Sequence, residues 1–231
     1  MNFRMPLGAD PRMAYQRYRM GQITIHEKRN DAVETDTTET ELFRIIATNP
    51  AKLRKRVYHR EVMLDKDSLF NEQKTQFTYQ GLNSLPIVNY ATVRYTTPEP
   101  GDSLLHADVQ VNLNQPNGVS VDIEGTNTAG DLGGAASFTF TNRNLFRGAE
   151  SLSLKLRGAY EAIKGLEGYQ NQNYIEYSAE GTLRLPTLPV LFSTKSGRNI
   201  RGNSEFSLLY NSQNRPEFHR RLLTGTWGLT W

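Results

Sequence analysis

Residues Asn117–Tyr160 read NGVSVDIEGTNTAGDLGGAASFTFTNRNLFRGAESLSLKLRGAY, and apolar and polar side chains alternate through successive runs of the stretch. Val119, Val121 and Ile123 fall on one face, with Ser120, Asp122 and Glu124 on the other. Phe138 and Phe140 alternate with Ser137, Thr139 and Thr141, and Leu152, Leu154 and Leu156 alternate with Ser153, Lys155 and Arg157. A period of two residues is that of a β-strand. The polar face carries full charges while the apolar face is aliphatic and aromatic, the pattern of strands with lipid on one side and water on the other.

The same pattern continues to the end of the chain. Tyr174–Leu185 places Ile175, Tyr177, Ala179, Gly181, Leu183 and Leu185 opposite Glu176, Ser178, Glu180, Thr182 and Arg184. Further runs cover Asn203–Tyr210, with Phe206, Leu208 and Tyr210 outward, and Arg220–Trp231, with Leu223, Gly225, Trp227, Leu229 and Trp231 opposite Thr224, Thr226 and Thr230. Each approaches the length of about 9–11 residues that crosses a bilayer as a tilted strand. Tyr160, Tyr174, Tyr210 and Trp231 sit near strand ends, where an interfacial aromatic girdle belongs. The connections Thr128–Gly133 and Asn142–Gly148 are short, whereas Ile163–Asn173 and Pro186–Gly202 are long, a barrel-like inequality. A soluble sandwich with one buried face also alternates and is the competing reading.

Composition agrees with either. The chain has 231 residues, 37% hydrophobic, with 27 basic and 24 acidic side chains giving a formal charge of +3. That small, mixed charge gives no footprint for nucleic acid. No run approaches the roughly 20 apolar residues of a membrane helix, so a membrane role must come from strands. With no cysteine, disulfides and thiol chemistry are excluded. Met1–Met20 (MNFRMPLGADPRMAYQRYRM) scatters Arg, Asp and Pro and lacks the apolar core of a secretory signal. An exported protein would not start this way, so the expectation is either a cytoplasmic protein or an internal piece of a longer chain.

Upstream of the alternating region the pattern mixes helix and strand. Gln22–Glu27 alternates around Ile23 and Ile25 as a short strand, and the Thr-rich Lys28–Thr40 reads as a loop. Leu42–Ala47 is a further short strand. Pro50 suits the first turn of a helix carrying Leu53, Val57 and Tyr58. A second helix is predicted from about Asn71 to Leu85, capped by Asp67 or Ser68, with Phe70, Phe77, Leu82 and Leu85 supplying apolar contacts. Ile87–Tyr95, a Pro98–Asp102 turn and Leu105–Leu113 form an antiparallel hairpin. Residues 1–20 are then a lead-in, 21–115 an α+β domain, and 116–231 antiparallel transmembrane β-barrel strands, about six of them.

Gly130–Glu161 resembles the start of the barrel in the BamA and TamA family of outer-membrane assembly proteins, particularly their Bacteroidetes forms. The run Asn142, Arg143, Asn144, Leu145, Phe146, Arg147 and Gly148 is its most specific part. Residues 21–115 are similar to the last POTRA module of such a protein, with Leu64–Asn71 (LDKDSLFN) matching a family linker element. The resemblance implies a non-enzymatic machine without cofactor or metal. Its partners are unfolded outer-membrane protein clients, outer-membrane lipids and periplasmic accessory proteins, and it lies in the bacterial outer membrane with the POTRA part in the periplasm. It makes Val119, Ser120, Val121, Asp122, Ile123, Glu124, Gly125 and Thr126 the first strand of a lateral gate. It assigns client capture by strand addition to a POTRA edge, in a hairpin strand or Gln22–Glu27. A secretion or lipid-transport pore of the same architecture is the alternative, and a soluble β-rich binding protein a more distant one. About six strands cannot close a barrel, since the smallest have about eight, and the family's later Arg-Gly-Phe element has no match. The expectation is therefore an incomplete barrel in a fragment.

Sharper chemistry finds less support. Asp122 with Glu124, and Glu176 with Glu180, place carboxylates on single strand faces, but lumen-lining charges explain them better than a glycosidase pair. His26, His59, His106 and His219 lack ligand spacing. Gly130–Gly134 (GDLGG) is not followed by the helix and Lys-Ser/Thr of a phosphate loop. Lys52, Arg54, Lys55, Arg56, His59 and Arg60 read as an exposed helix face, with lipid head groups as the partner to test. No Gly-x-Ser-x-Gly elbow occurs.

Overall fold

The computed structural model describes residues 17–29, 34–48, 53–97, 103–128, 131–162, 173–186, 202–215 and 218–230. Pro50, Lys52, the Pro98–Asp102 turn and Trp231 lie outside them, as do nearly all of the long connections after Ala162 and Pro186. The chain divides into two compact units, Met1–Asn114 and Gln115–Trp231.

The first unit is a five-stranded mixed sheet with two helices. Strand β1 (Arg19–Lys28) lies at its centre, parallel to both β3 (Arg44–Thr48) and β5 (Leu104–Leu113). Outside them, β2 (Glu34–Glu39) pairs antiparallel with β3, and β4 (Val88–Thr96) antiparallel with β5. Parallel neighbours need a crossover, and the helices α1 (Lys55–Glu61) and α2 (Glu72–Asn83) lie between β3 and β4 in the chain. The alternation read at Ile23 and Ile25 gives the core: both are buried, with Ile45, Val57, Leu82, Val109 and Val111.

Within this core lies a polar contact that sequence pattern did not signal. Glu27 and Tyr58 are both 0% exposed, and the Tyr58 hydroxyl donates to Glu27 Oε2 at 2.6 Å. The backbone N–H of Leu53 donates to the same oxygen at 3.4 Å, so one carboxylate holds the approach to α1 and its first turn. Burial pushes the Tyr58 hydroxyl well above its ordinary pKa of 10.0, and the Glu27 charge and hydrogen bond add to the rise. Above about pH 10 the unfolded chain loses this proton while the folded unit keeps it, so stability falls as pH rises. Urea unfolding at about pH 9 and about pH 11 is expected to show that loss, with a shallower loss for Tyr58→Phe. Tyr95, also raised by burial, leaves a residual slope.

Several local expectations change. Lys28–Thr40 is not all loop, because Glu34–Glu39 forms β2. As an edge strand with exposed Asp36 and Thr37, it needs no core residue, and pairing with β3 supplies the order that its composition does not. The cap of α2 is Asn71, whose side chain accepts from the Gln73 N–H at 2.9 Å, rather than Asp67 or Ser68. Asp67 turns the chain with φ 61, and Ser68 donates to the Asp65 carbonyl. Of the apolar residues assigned to that helix, Leu82 and Leu85 are buried while Phe70 and Phe77 are exposed. The link before α2 is fastened to β1 instead: Met20 N–H donates to Ser68 O, Asp67 N–H to Met20 O and Phe70 N–H to Tyr18 O.

The second unit is an open six-stranded antiparallel sheet in strict sequence order. Its strands are β6 (Asn117–Thr128), β7 (Asp131–Asn142), β8 (Ser151–Ala162), β9 (Asn173–Leu185), β10 (Asn203–Asn214) and β11 (His219–Thr230). Each pairs with its chain neighbours, leaving β6 and β11 at the two edges.

Candidate gate strand and docking edges

Register decides what each face of the second sheet can do. Pairing aligns Val121, Phe138, Leu156, Ala179, Tyr210 and Leu223 in one row across all the strands. The next row runs Val119, Phe140, Leu154, Gly181, Leu208 and Gly225. Most of these side chains are exposed, Val121 64%, Leu156 56% and Leu223 67%, as is Ile123 at 83% in the row beyond, while Phe140 is half-buried. A contiguous apolar surface of this extent is what a lipid or protein partner covers.

The opposite face is charged and internally bonded. Arg157 reaches Glu124 at 3.0 Å across the intervening β7 and Glu176 at 3.9 Å on its other side. Glu176 in turn accepts from Asn211 at 2.6 Å and from Tyr174, and Arg184 pairs with Glu205 at 2.6 Å. Ser137 donates to Asp122 at 3.2 Å. The carboxylates that sequence reading placed on one face are thus held by arginine, amide and hydroxyl groups. Alternation alone points each of these residues to the polar face. It cannot pair them, because they come from different strands.

The residues Val119–Thr126 all lie on β6, which among the described residues pairs only with β7. Its outward edge therefore presents a row of backbone N–H and C=O groups. In hydrocarbon such groups must find partners, which makes an edge strand a template for another strand. The motif residues fall elsewhere. Asn142 ends β7, and Arg143–Gly148 form the turn into β8. Here the Glu150 carboxylate accepts from the Phe146 and Gly148 N–H groups at 3.2 and 2.8 Å, and Asn144 Oδ1 accepts from Ala149 N–H at 3.1 Å. Arg147 and Ala149 adopt positive φ of 63° and 64°, a conformation rare outside glycine that persists where surrounding bonds enforce it. Phe146 is left 55% exposed at the tip.

In the first unit the exposed edges are β2 and β4. Gln22–Glu27 is not an edge, because β1 is enclosed by β3 and β5, and of the two hairpin strands β4 is the one without a second partner among the described residues. Sequence gives the strands but not their order, since parallel pairing joins segments far apart in the chain. The basic side chains Arg54, Lys55 and Arg56 are exposed as expected, whereas Arg60 turns to Glu61 at 2.5 Å and His59 packs on the Phe43 ring at 4.7 Å. Among the described residues no His, Cys, Asp and Glu side chains group to hold a metal.

No protein-family model matches the sequence, and no curated protein matches it. Among solved structures the chain is similar to BamA from Haemophilus ducreyi lacking POTRA domains 1–3, with TM-score 0.37 and 9% identity over 90% of this chain. It is similar as well to CdiB from Acinetobacter baumannii, with TM-score 0.44 and 11% identity over 93% of this chain. The chain spans 43% and 42% of those two proteins.

Proposed function

We propose that the chain is part of an outer-membrane protein assembly factor of the BamA and TamA kind. The sheet of the second unit lies in the outer membrane, and the first unit is a periplasmic POTRA module. The observation that carries this reading is the two-faced sheet. One face is exposed and apolar across every strand, the other is charged and self-paired, and the leading strand β6 has an open edge. β6 is the gate strand, whose backbone groups bond an incoming client strand. Clients are captured beforehand by strand addition along β4 or β2, the free edges of the module. The machine is non-enzymatic and needs no cofactor. Depletion of the full-length protein is expected to lower the levels of many barrel proteins in the outer membrane. Unchanged levels of all of them would sink the reading.

A second reading keeps the architecture and changes the cargo. The charged face, with Arg157, Glu176, Arg184 and Glu205 paired along it, would also line a pore that secretes a polypeptide or moves lipid. Loss of one exported protein on depletion, with barrel assembly intact, is the outcome it requires.

A further inference from the structure

Ala91 lies on the edge strand β4, yet it is only 1% exposed. Its cover comes from Asn83, the last residue of α2. Asn83 Oδ1 accepts from the Ala91 N–H at 2.9 Å, and Asn83 Nδ2 donates to the Ala91 carbonyl at 3.1 Å and to the Tyr79 carbonyl at 2.8 Å. One side-chain amide thus makes with Ala91 both bonds that a residue of a neighbouring strand would make. In an antiparallel pair, alternate residues turn both backbone groups toward the partner or both away from it. β4 pairs with β5 without interruption from Tyr90 to Thr96, so the outward setting of Ala91 turns the N–H and C=O of Val93 and Tyr95 outward as well. Among the described residues no side-chain amide covers those groups as Asn83 covers Ala91. Thr75 meets Tyr95 at the side-chain hydroxyl, 2.6 Å away, and not at the backbone. Thr75, Tyr79 and Asn83 fall on one stripe of α2, which sets the exposed Tyr79 between the two contacts, alongside Val93.

We infer that Asn83 caps the β4 edge at Ala91 and so fixes where an added strand stops: a client segment pairs with Val93 and Tyr95 and ends before Ala91. This deepens the reading of client capture by strand addition and rests on it. The occupant is an extended client segment that alternates apolar and polar residues, its apolar side chains lying against Tyr79. Addition leaves the β4–β5 pairing intact, because the groups it uses already face outward. Removing the cap adds Ala91 to the outward residues and lengthens the pairing toward Tyr90.

Amide hydrogen exchange of the full-length protein in lipid nanodiscs tests the cap with no client present. The Ala91 amide is expected to exchange roughly tenfold more slowly than those of Val93 and Tyr95, since it holds a bond that they lack. Asn83→Ala should bring Ala91 to the rate of Val93 and leave the β1 and β5 amides unchanged. Asn83→Asp keeps the acceptor and loses the donor, so Ala91 should stay slower than in Asn83→Ala. Equal rates at the three wild-type positions, or a rise in Asn83→Ala spread evenly over β4, β5 and β1, overturns the cap. A second arm uses a short synthetic peptide alternating Phe and Thr. A benzophenone label on a single Cys, Arg94→Cys or Tyr90→Cys in a background free of other cysteines, reports which part of the edge the peptide covers. Capture at Arg94→Cys is expected to exceed that at Tyr90→Cys several-fold, and Asn83→Ala should bring the two level. Equal capture at both positions with Asn83 in place overturns the stop while leaving capture on β4 intact. Capture at neither position, with the exchange difference preserved, removes client capture on β4 and leaves Asn83 as a block on that edge.

Discussion

Leu156→Arg is expected to abolish stable insertion of the full-length protein into phospholipid vesicles. Leu156 sits in the middle row of the apolar face, 56% exposed between Phe138 and Ala179. A guanidinium on the lipid face near the bilayer centre costs about 2–4 kcal/mol, which is roughly a 30- to 900-fold shift in the inserted population. The control is the same charge on the other face. Thr139→Arg lies among Ser120 and Lys155 on the polar side and is expected to change insertion little. Protease protection of vesicle-bound protein measures both. Equal losses from the two substitutions would mean that the faces do not divide lipid from water.

Glu27→Ala is expected to cost the first unit about 2–4 kcal/mol, most of it from orphaned donors rather than lost contacts. The Tyr58 hydroxyl is left fully buried with its acceptor gone, and the Leu53 N–H loses the same oxygen. Replacing both partners with apolar groups removes the orphan, so Glu27→Leu with Tyr58→Phe should be less destabilising than Glu27→Ala alone. Denaturant melts of the three chains decide it, and a double variant less stable than the single would contradict the assignment of the cost to desolvation.

Both effects depend on features that differ in how legible they were. The apolar face containing Leu156 was written directly in the alternation, because strand side chains have a period of two and need no knowledge of a partner. The Glu27–Tyr58 contact was not. Glu27 occupies an inward position on β1, where alternation predicts an apolar residue, and its partner arrives from a helix distant in the chain. The edge strand β2 was missed for a related reason. A short Thr-rich segment has no periodic apolar signal, and it becomes a strand only because β3 presents hydrogen-bonding groups for it to meet.

The sequence by itself determined the α+β module followed by antiparallel strands, the strand faces, and which residues belong to the leading strand. Those follow from local periodicity and from turn chemistry. Only the tertiary structure decided that β1 is enclosed and that β2 and β4 are the free edges, since strand order in a mixed sheet depends on long-range parallel pairing. It also decided that Arg157 joins Glu124 to Glu176, and that Arg143 fastens the chain just ahead of β6. Contacts between strands are fixed by register, which a single strand's sequence does not contain.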